Sequence, residues 1–337
     1  MDMKAKIIFA VVISFMTIFS GCGKKEETVQ KSGRQKAEVD SALCNIDSLM
    51  AVEARLVMSQ ADTMLAAGIA YCTAEKVTTS FEKGLVELGN GEYDKAEKTF
   101  DAALVESVGV APEKARIFFY RGIARYLKAD TAGARAAFDS SLAYYPKAPE
   151  VLTSRGITQY DLGFYNKAVE DYDSALAGRH DYSEAWYHRA NAYYMLAQFK
   201  EVLADYDSAI AYQPDMIKAR YNKAATLHRL GRLDEALAGF DSVLVYKHDD
   251  YMAWLGRGMI YGRWEKTDEA IACFDSSLAY NRNNPEAWNN KAAALAVLKK
   301  YDEALACIDS SFYYAPENER TTQLQNIILQ ERDQQKE

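Results

Sequence analysis

Apolar residues recur along this chain in two alternating helical patterns. In the first, a large residue (Phe118, Leu152, Trp186, Trp254, Trp288) is followed four positions later by Gly or Ala (Gly122, Gly156, Ala190, Gly258, Ala292). Three further on, Tyr193, Leu227, Tyr261 and Leu295 complete the i, i+4, i+7 face of a helix. A turn follows, often with glycine, as at Gly91, Gly163 and Gly231. Then comes a second amphipathic stretch, such as "YDKAEKTF" from Tyr93, "YNKAVEDY" from Tyr165 or "YDEALACI" from Tyr301. Its alanine-like position falls at Ala96, Ala134, Ala168, Val202, Ala236, Ala270 and Ala304, with spacings of 38 and then five times 34. All six prolines lie at or near the joints between these pairs, where a helix must stop. The pattern predicts seven helical hairpins over residues 77–316. One hairpin cannot bury its apolar face alone, so consecutive hairpins must stack.

Six of the seven second helices carry an Asp-Ser phrase, for example "FDSSLAY" from Phe274, and its acid is present in every repeat: Asp101, Asp139, Asp173, Asp207, Asp241, Asp275 and Asp309. Just before the small residue of each first helix stands a base: Lys83, Arg121, Arg155, Arg189, Lys223, Arg257 and Lys291. Acids and bases in fixed phase predict a ladder of structural ion pairs between stacked helices. The second helix of one repeat packs on the first helix of the next, which favours Asp139 with Arg155, Asp173 with Arg189, Asp207 with Lys223 and Asp241 with Arg257. The other readings are a partner in the same repeat and an acidic row that binds metal or a basic ligand. The serine after the acid is expected to be a small residue that lets helices approach.

The two hairpin patterns in strict phase resemble the tetratricopeptide repeat family. The resemblance implies an all-α, right-handed α-α superhelical solenoid of about seven repeats whose first helices line a concave groove, closed at its ends by helical caps. Residues 317–337, with Leu324, Ile327 and Ile328, read as the C-terminal cap, and residues 37–76, where the repeat phase is lost, as one or two helices of an N-terminal cap. The stripe that faces the groove in this family gives Tyr187, Asn191 and Tyr194 in one repeat, Phe119, Ile123 and Tyr126 in another, then Ile157 and Tyr160, and Tyr221, Ala225 and His228. Tyr120, His188, Asn222, Arg229 and Asn290 lie beside it. Aromatic rings and amides of this kind hold a protein or peptide ligand. Asn191 and Asn222 match the asparagines of the family's carboxylate clamp, but Tyr187, Met252 and Gly256 stand where its basic residues belong, so the clamp is broken.

The start of the chain reads as targeting. Lys4 and Lys6 precede the apolar run "IIFAVVISFMTIFSG", Ile7 to Gly21, which is short for a membrane span. Its end, "FSGC", resembles the lipobox of bacterial lipoproteins, with Cys22 as the lipidated (palmitate-bearing) residue. Residues 1–22 are then a signal peptide, and residues 23–36 a tether with almost no large apolar side chain. "GKKEE" after Cys22 resembles the export signal of surface-displayed lipoproteins of Bacteroidota. This implies an outer-membrane lipid anchor, facing the surface or the periplasm.

Charge and chemistry narrow the function further. A net charge of −8 argues against nucleic acid as a partner. The four histidines form no metal-binding spacing, and neither a nucleophile elbow nor a phosphate-binding glycine loop is present. Cys273 and Cys307, 34 residues apart, occupy equivalent repeat positions and read as small buried thiols. No catalytic constellation, metal site or cofactor is expected. The sequence therefore points to a lipid-anchored scaffold for protein–protein interaction in the bacterial envelope. The alternative is a glycan-binding accessory lipoprotein of a surface nutrient-uptake complex.

Overall fold

A computed structural model describes residues 79–107 and 111–336, and every regular element among them is an α-helix. Cys22, the expected tether and residues 37–76 lie outside the described residues. The described chain forms two compact bodies, divided after Tyr212. The first holds α1 (Ser80–Gly89), α2 (Tyr93–Glu106), α3 (Ala111–Leu127), α4 (Thr131–Tyr144), α5 (Pro149–Asp161), α6 (Tyr165–Gly178), α7 (Ser183–Met195) and α8 (Phe199–Tyr212). The second holds α9 (Ile217–Arg229), α10 (Leu233–Tyr246), α11 (Tyr251–Arg263), α12 (Thr267–Tyr280), α13 (Pro285–Val297), α14 (Tyr301–Tyr314) and α15 (Glu319–Lys336). Odd-numbered helices up to α13 are the first helices of the repeats, and even-numbered ones the second. Within each body every first helix packs on its own second helix, and each second helix on the next first helix.

Local chemistry starts and stops these helices. Thr79 and Glu82 form a reciprocal capping box at α1, Asp130 accepts from Gly133 N at α4, and Asp250 from Ala253 N at α11. Pro149 and Pro285 sit in the first turn of α5 and α13, where no amide hydrogen is needed. Inside each hairpin one residue takes left-handed backbone: Gly91, Gly163 and Gly231 in three repeats, and Ala129, Ala197, Glu265 and Lys299 in the other four. The amide just after it closes the helix on the carbonyl five residues back, as in Phe164 N to Gln159 O at 2.8 Å. Glycine is thus favoured at this turn but not obligatory, at a strain of about 1–2 kcal/mol where a side chain is present.

The core is built from one ring per repeat. Phe100, Phe138, Tyr172, Tyr206, Phe240 and Phe274 of the second helices are fully or almost fully buried. The small residue of the first helix makes room for the ring: a Cβ placed on Gly122 would stand 2.5 Å from the Phe138 ring, and one on Gly258 would stand 2.4 Å from Phe274. In the last repeat Ile308 takes the place of the ring and Ala292 that of the glycine. The large first-helix residue pins the joint behind it. The Trp186, Trp254 and Trp288 indoles donate to the carbonyls of His180, His248 and Arg282, and Arg220 Nε donates to that of Pro214.

The serines correct the sequence reading. Among the described residues, the one directly after the acid is at a helix contact only at Ser242, which accepts from Arg220 Nη1 at 2.8 Å. Ser140, Ser174, Ser208, Ser276 and Ser310 donate to the carbonyl four residues earlier in their own helix. The next position is the one buried between helices: Ser141, Ser277 and Ser311 bond Ala115 O, Tyr251 O and Pro285 O at the start of their own first helices. At the end of the second body α15 packs on α14 and α13 through Leu324 and Ile328. There Asn289 Nδ2 donates to Thr321 Oγ1 at 2.9 Å.

Candidate protein-binding face

Three tyrosines occupy one repeat position on consecutive first helices of the first body: Tyr126 on α3, Tyr160 on α5 and Tyr194 on α7. All three are partly exposed. The ring of Tyr160 meets Tyr165 edge-on at 5.2 Å, and Tyr194 meets Phe199 at 5.8 Å, so each is braced by the start of its own second helix. The Tyr126 hydroxyl donates to Asp161 Oδ2 in the next repeat at 2.7 Å. Burial, together with the Asp161 charge and this bond, pushes its phenol well above the ordinary value, so it remains a neutral donor at physiological pH. Beneath the row lies Tyr172, wholly buried among Ile157, Ala168 and Ala192, with no bonding partner for its hydroxyl among the described residues. Its counterpart Tyr206 donates to Asn191 Oδ1 at 2.5 Å. In Tyr172's own repeat the position of Asn191 is held by Ile157, which cannot accept.

Other expected groove residues are buried, for one physical reason. Side chains at two adjacent first-helix positions clamp the core ring of their own and of the preceding repeat. Tyr187 has no exposed surface, and its ring centroid lies 6.0 Å from Tyr206. Tyr120 packs on Phe100 at 6.5 Å and His188 on Tyr172 at 6.2 Å, both reaching back one repeat. Asn191 is held by Tyr206, and His228 is 7% exposed. Asn290 turns back to Glu286 O. Tyr187, Tyr120, His188, Asn191 and Asn290 are therefore packing residues here and not solvent-facing anchors. In the second body Tyr221, against Phe240, and Asn222 are partly exposed, and Arg229 is exposed.

The acid–base ladder has two layers. Asp139 meets Arg155 at 2.8 Å, Asp173 meets Arg189 at 2.5 Å, and Asp241 meets Arg257 at 3.1 Å. Asp101 with Arg121 and Asp275 with Lys291 repeat the geometry. Asp207 and Lys223 fall in different bodies. The deeper layer escapes the sequence reading: Arg155 and Arg189 each close a two-pronged bond on a buried acid of their own repeat, Asp171 and Asp205. Gln159 Nε2 adds a third bond to Asp171. Burial raises both carboxyls against the pull of their arginines. The signal was available, because Asp171 and Asp205 hold one repeat position two residues before the phrase acid. Elsewhere that position is Thr99, Ala137, Gly239, Cys273 or Cys307.

The two thiols at that position are free and buried. Burial pushes Cys307 up to about 11 and raises Cys273 as well, which leaves both unreactive. Among the described residues no group of three His, Cys, Asp or Glu could hold a metal, and no helix is long and apolar enough to cross a membrane.

A family model described as tetratricopeptide repeat matches residues 81–149 and 153–201. A second, described as a domain of unknown function, matches residues 219–337. Comparison with curated proteins gives no match. Among solved structures, a tetratricopeptide repeat protein from Parabacteroides merdae is similar with a TM-score of 0.57 and 19% identity, over 74% of this chain and 97% of that one. The C-terminal part of a repeat-containing protein from Cytophaga hutchinsonii gives 0.58 and 15%, over 72% and 98%. A chain of the Cut9–Hcn1 hetero-tetramer of the APC/C gives 0.60 and 15%, over 95% of this chain and 63% of that one. At these identities the likeness is one of fold.

Proposed function

We propose, from the tetratricopeptide repeat match over residues 81–149 and 153–201 and the likeness in fold, that this chain is a lipid-anchored scaffold of the bacterial envelope that binds a protein partner and catalyses no reaction. The observation that carries the binding reading is the row of Tyr126, Tyr160 and Tyr194. These are aromatic, hydroxyl-bearing side chains on three consecutive first helices, each braced from one side and open on another. Such side chains combine a large contact area with a polar tip and little entropy to lose on docking. Anchoring through Cys22 rests on the small-small-Cys ending of the apolar run.

One experiment separates the two halves of the reading. A crosslinked pull-down from envelope extracts is run with the full chain, with Tyr160→Ala/Tyr194→Ala, and with Cys22→Ala. Truncating an aromatic anchor at an interface typically costs about 2 kcal/mol or more, so loss of even one anchor in the double variant should lower partner affinity roughly thirtyfold or more. It should keep its helical content and stay with the membrane. Cys22→Ala should appear in the soluble fraction after a high-salt wash. Unchanged capture by a folded double variant would remove the tyrosine row from the interface, and membrane retention of Cys22→Ala would remove the lipid anchor.

A further inference from the structure

The relation that joins Tyr126 to Asp161 recurs in the second body with a different pair. Tyr126 donates to the residue 35 positions later, on the next first helix. The same separation leads from His228, at the Tyr126 position of α9, to Arg263, at the Asp161 position of α11, and α9 and α11 touch. In the first body this register brings a donor to an acceptor. In the second the same positions hold an imidazole and a guanidinium, and neither offers a carboxylate acceptor. His228 Nε2 is buried and has no hydrogen-bond partner among the described residues. Arg263 is exposed, and among the described residues no carboxylate pairs with it. We infer that His228 and Arg263 form a binding point for a carboxylate of the partner polypeptide, which would sit between them and accept a bond from each.

The electrostatics fit. Burial, and after it the charge of Arg263, holds the His228 imidazole neutral, with its pKa down to about 4. No other charged group of the described residues contributes. Lys223 and Arg229 are on its own helix, and Asp234 and Glu235 lie on the packed α10, where Arg232 engages Glu235 at 2.7 Å. A bound anion offsets the Arg263 charge and favours the imidazolium. Binding therefore takes up a proton, and affinity rises as pH falls toward the pKa of the bound state.

The inference rests on the protein-binding reading, but its test uses peptides and not the cellular partner, so either can fail alone. The full chain is titrated with acetyl-tetraglutamate amide, with acetyl-tetraalanine bearing a free C-terminus, and with acetyl-tetraalanine amide. The imidazole proton resonances are followed by NMR, and that of His228 is identified by its loss in His228→Gln. A saturable shift of His228 with an upward movement of its pKa is expected with at least one acid peptide and not with the amide control. A response to the glutamate peptide alone assigns a side-chain carboxylate, and to the free-acid alanine peptide alone a chain terminus. Arg263→Gln, at an exposed position that leaves folding intact, should weaken the response roughly tenfold or more. A His228 resonance unmoved by both acid peptides, or an affinity unchanged by Arg263→Gln, overturns the site.

Discussion

Replacing Arg189 with Ala is expected to remove about 3–5 kcal/mol of folding stability, because it strands the buried carboxylate of Asp205. Asp205 is only 5% exposed, and Arg189 is the partner that makes two bonds to it. The outer acid, Asp173, is half exposed, so Asp173→Ala should cost no more than about 1 kcal/mol. Adding Asp205→Asn to Arg189→Ala removes the stranded charge, and the double variant should be more stable than Arg189→Ala alone. The pH dependence has a defined sign. Burial already raises the Asp205 carboxyl, and loss of Arg189 raises it further. The folded state then holds a proton that the unfolded state releases above the ordinary Asp range. The deficit of Arg189→Ala should therefore shrink as pH falls through the raised pKa. Denaturant titrations of the three variants at neutral and acid pH check this. An Arg189→Ala variant no weaker than Asp173→Ala would contradict the inner layer of the ladder.

Phe138→Ala should cost about 3–5 kcal/mol, the usual range for deleting a buried ring. Phe138 is 2% exposed, and its ring stands against Gly122 and Phe119. The glycine is the other half of the fit. Gly122→Ala should cost about 1–3 kcal/mol, since its Cβ would meet a ring with little room to move. The last repeat supplies a compatible pair, Ala292 with Ile308, both fully buried. Gly122→Ala/Phe138→Ile should therefore be more stable than the two separate losses add up to. Additive losses in thermal or denaturant melts would mean that ring and glycine do not act as one unit.

Much of this architecture is readable in the sequence because it is periodic. A 34-residue step with large, small and aromatic positions in phase leaves helical hairpins as the one arrangement that buries every apolar face. The spacing of Asp139 and Arg155 is readable for the same reason. Burial on the first-helix face is not. Tyr187 and Tyr194 share one stripe by helical spacing, yet the first is covered and the second is partly open. The difference arises because Tyr187 reaches its own core ring, Tyr206, while Tyr194 lies beyond it beside Phe199. Which neighbour covers a side chain depends on how repeats stack, and no single-repeat pattern encodes that. Asp171 and Asp205 were hidden differently: acids on a second helix read as solvated until the arginine of the paired first helix is seen to close on them. That the positions of His228 and Arg263 correspond to those of a bonded pair becomes visible only once Tyr126 and Asp161 show which positions meet.

Whether the first-helix face takes a protein partner is tested most directly by site-specific photo-crosslinking of the full chain in intact cells. A benzophenone side chain is placed at Tyr160 or Tyr194 on first helices, or at the exposed Ser174 on the second helix α6. The account predicts one adduct of defined mass, shared by positions 160 and 194 and absent at 174. An adduct at position 174 with none at 160 and 194 would contradict it.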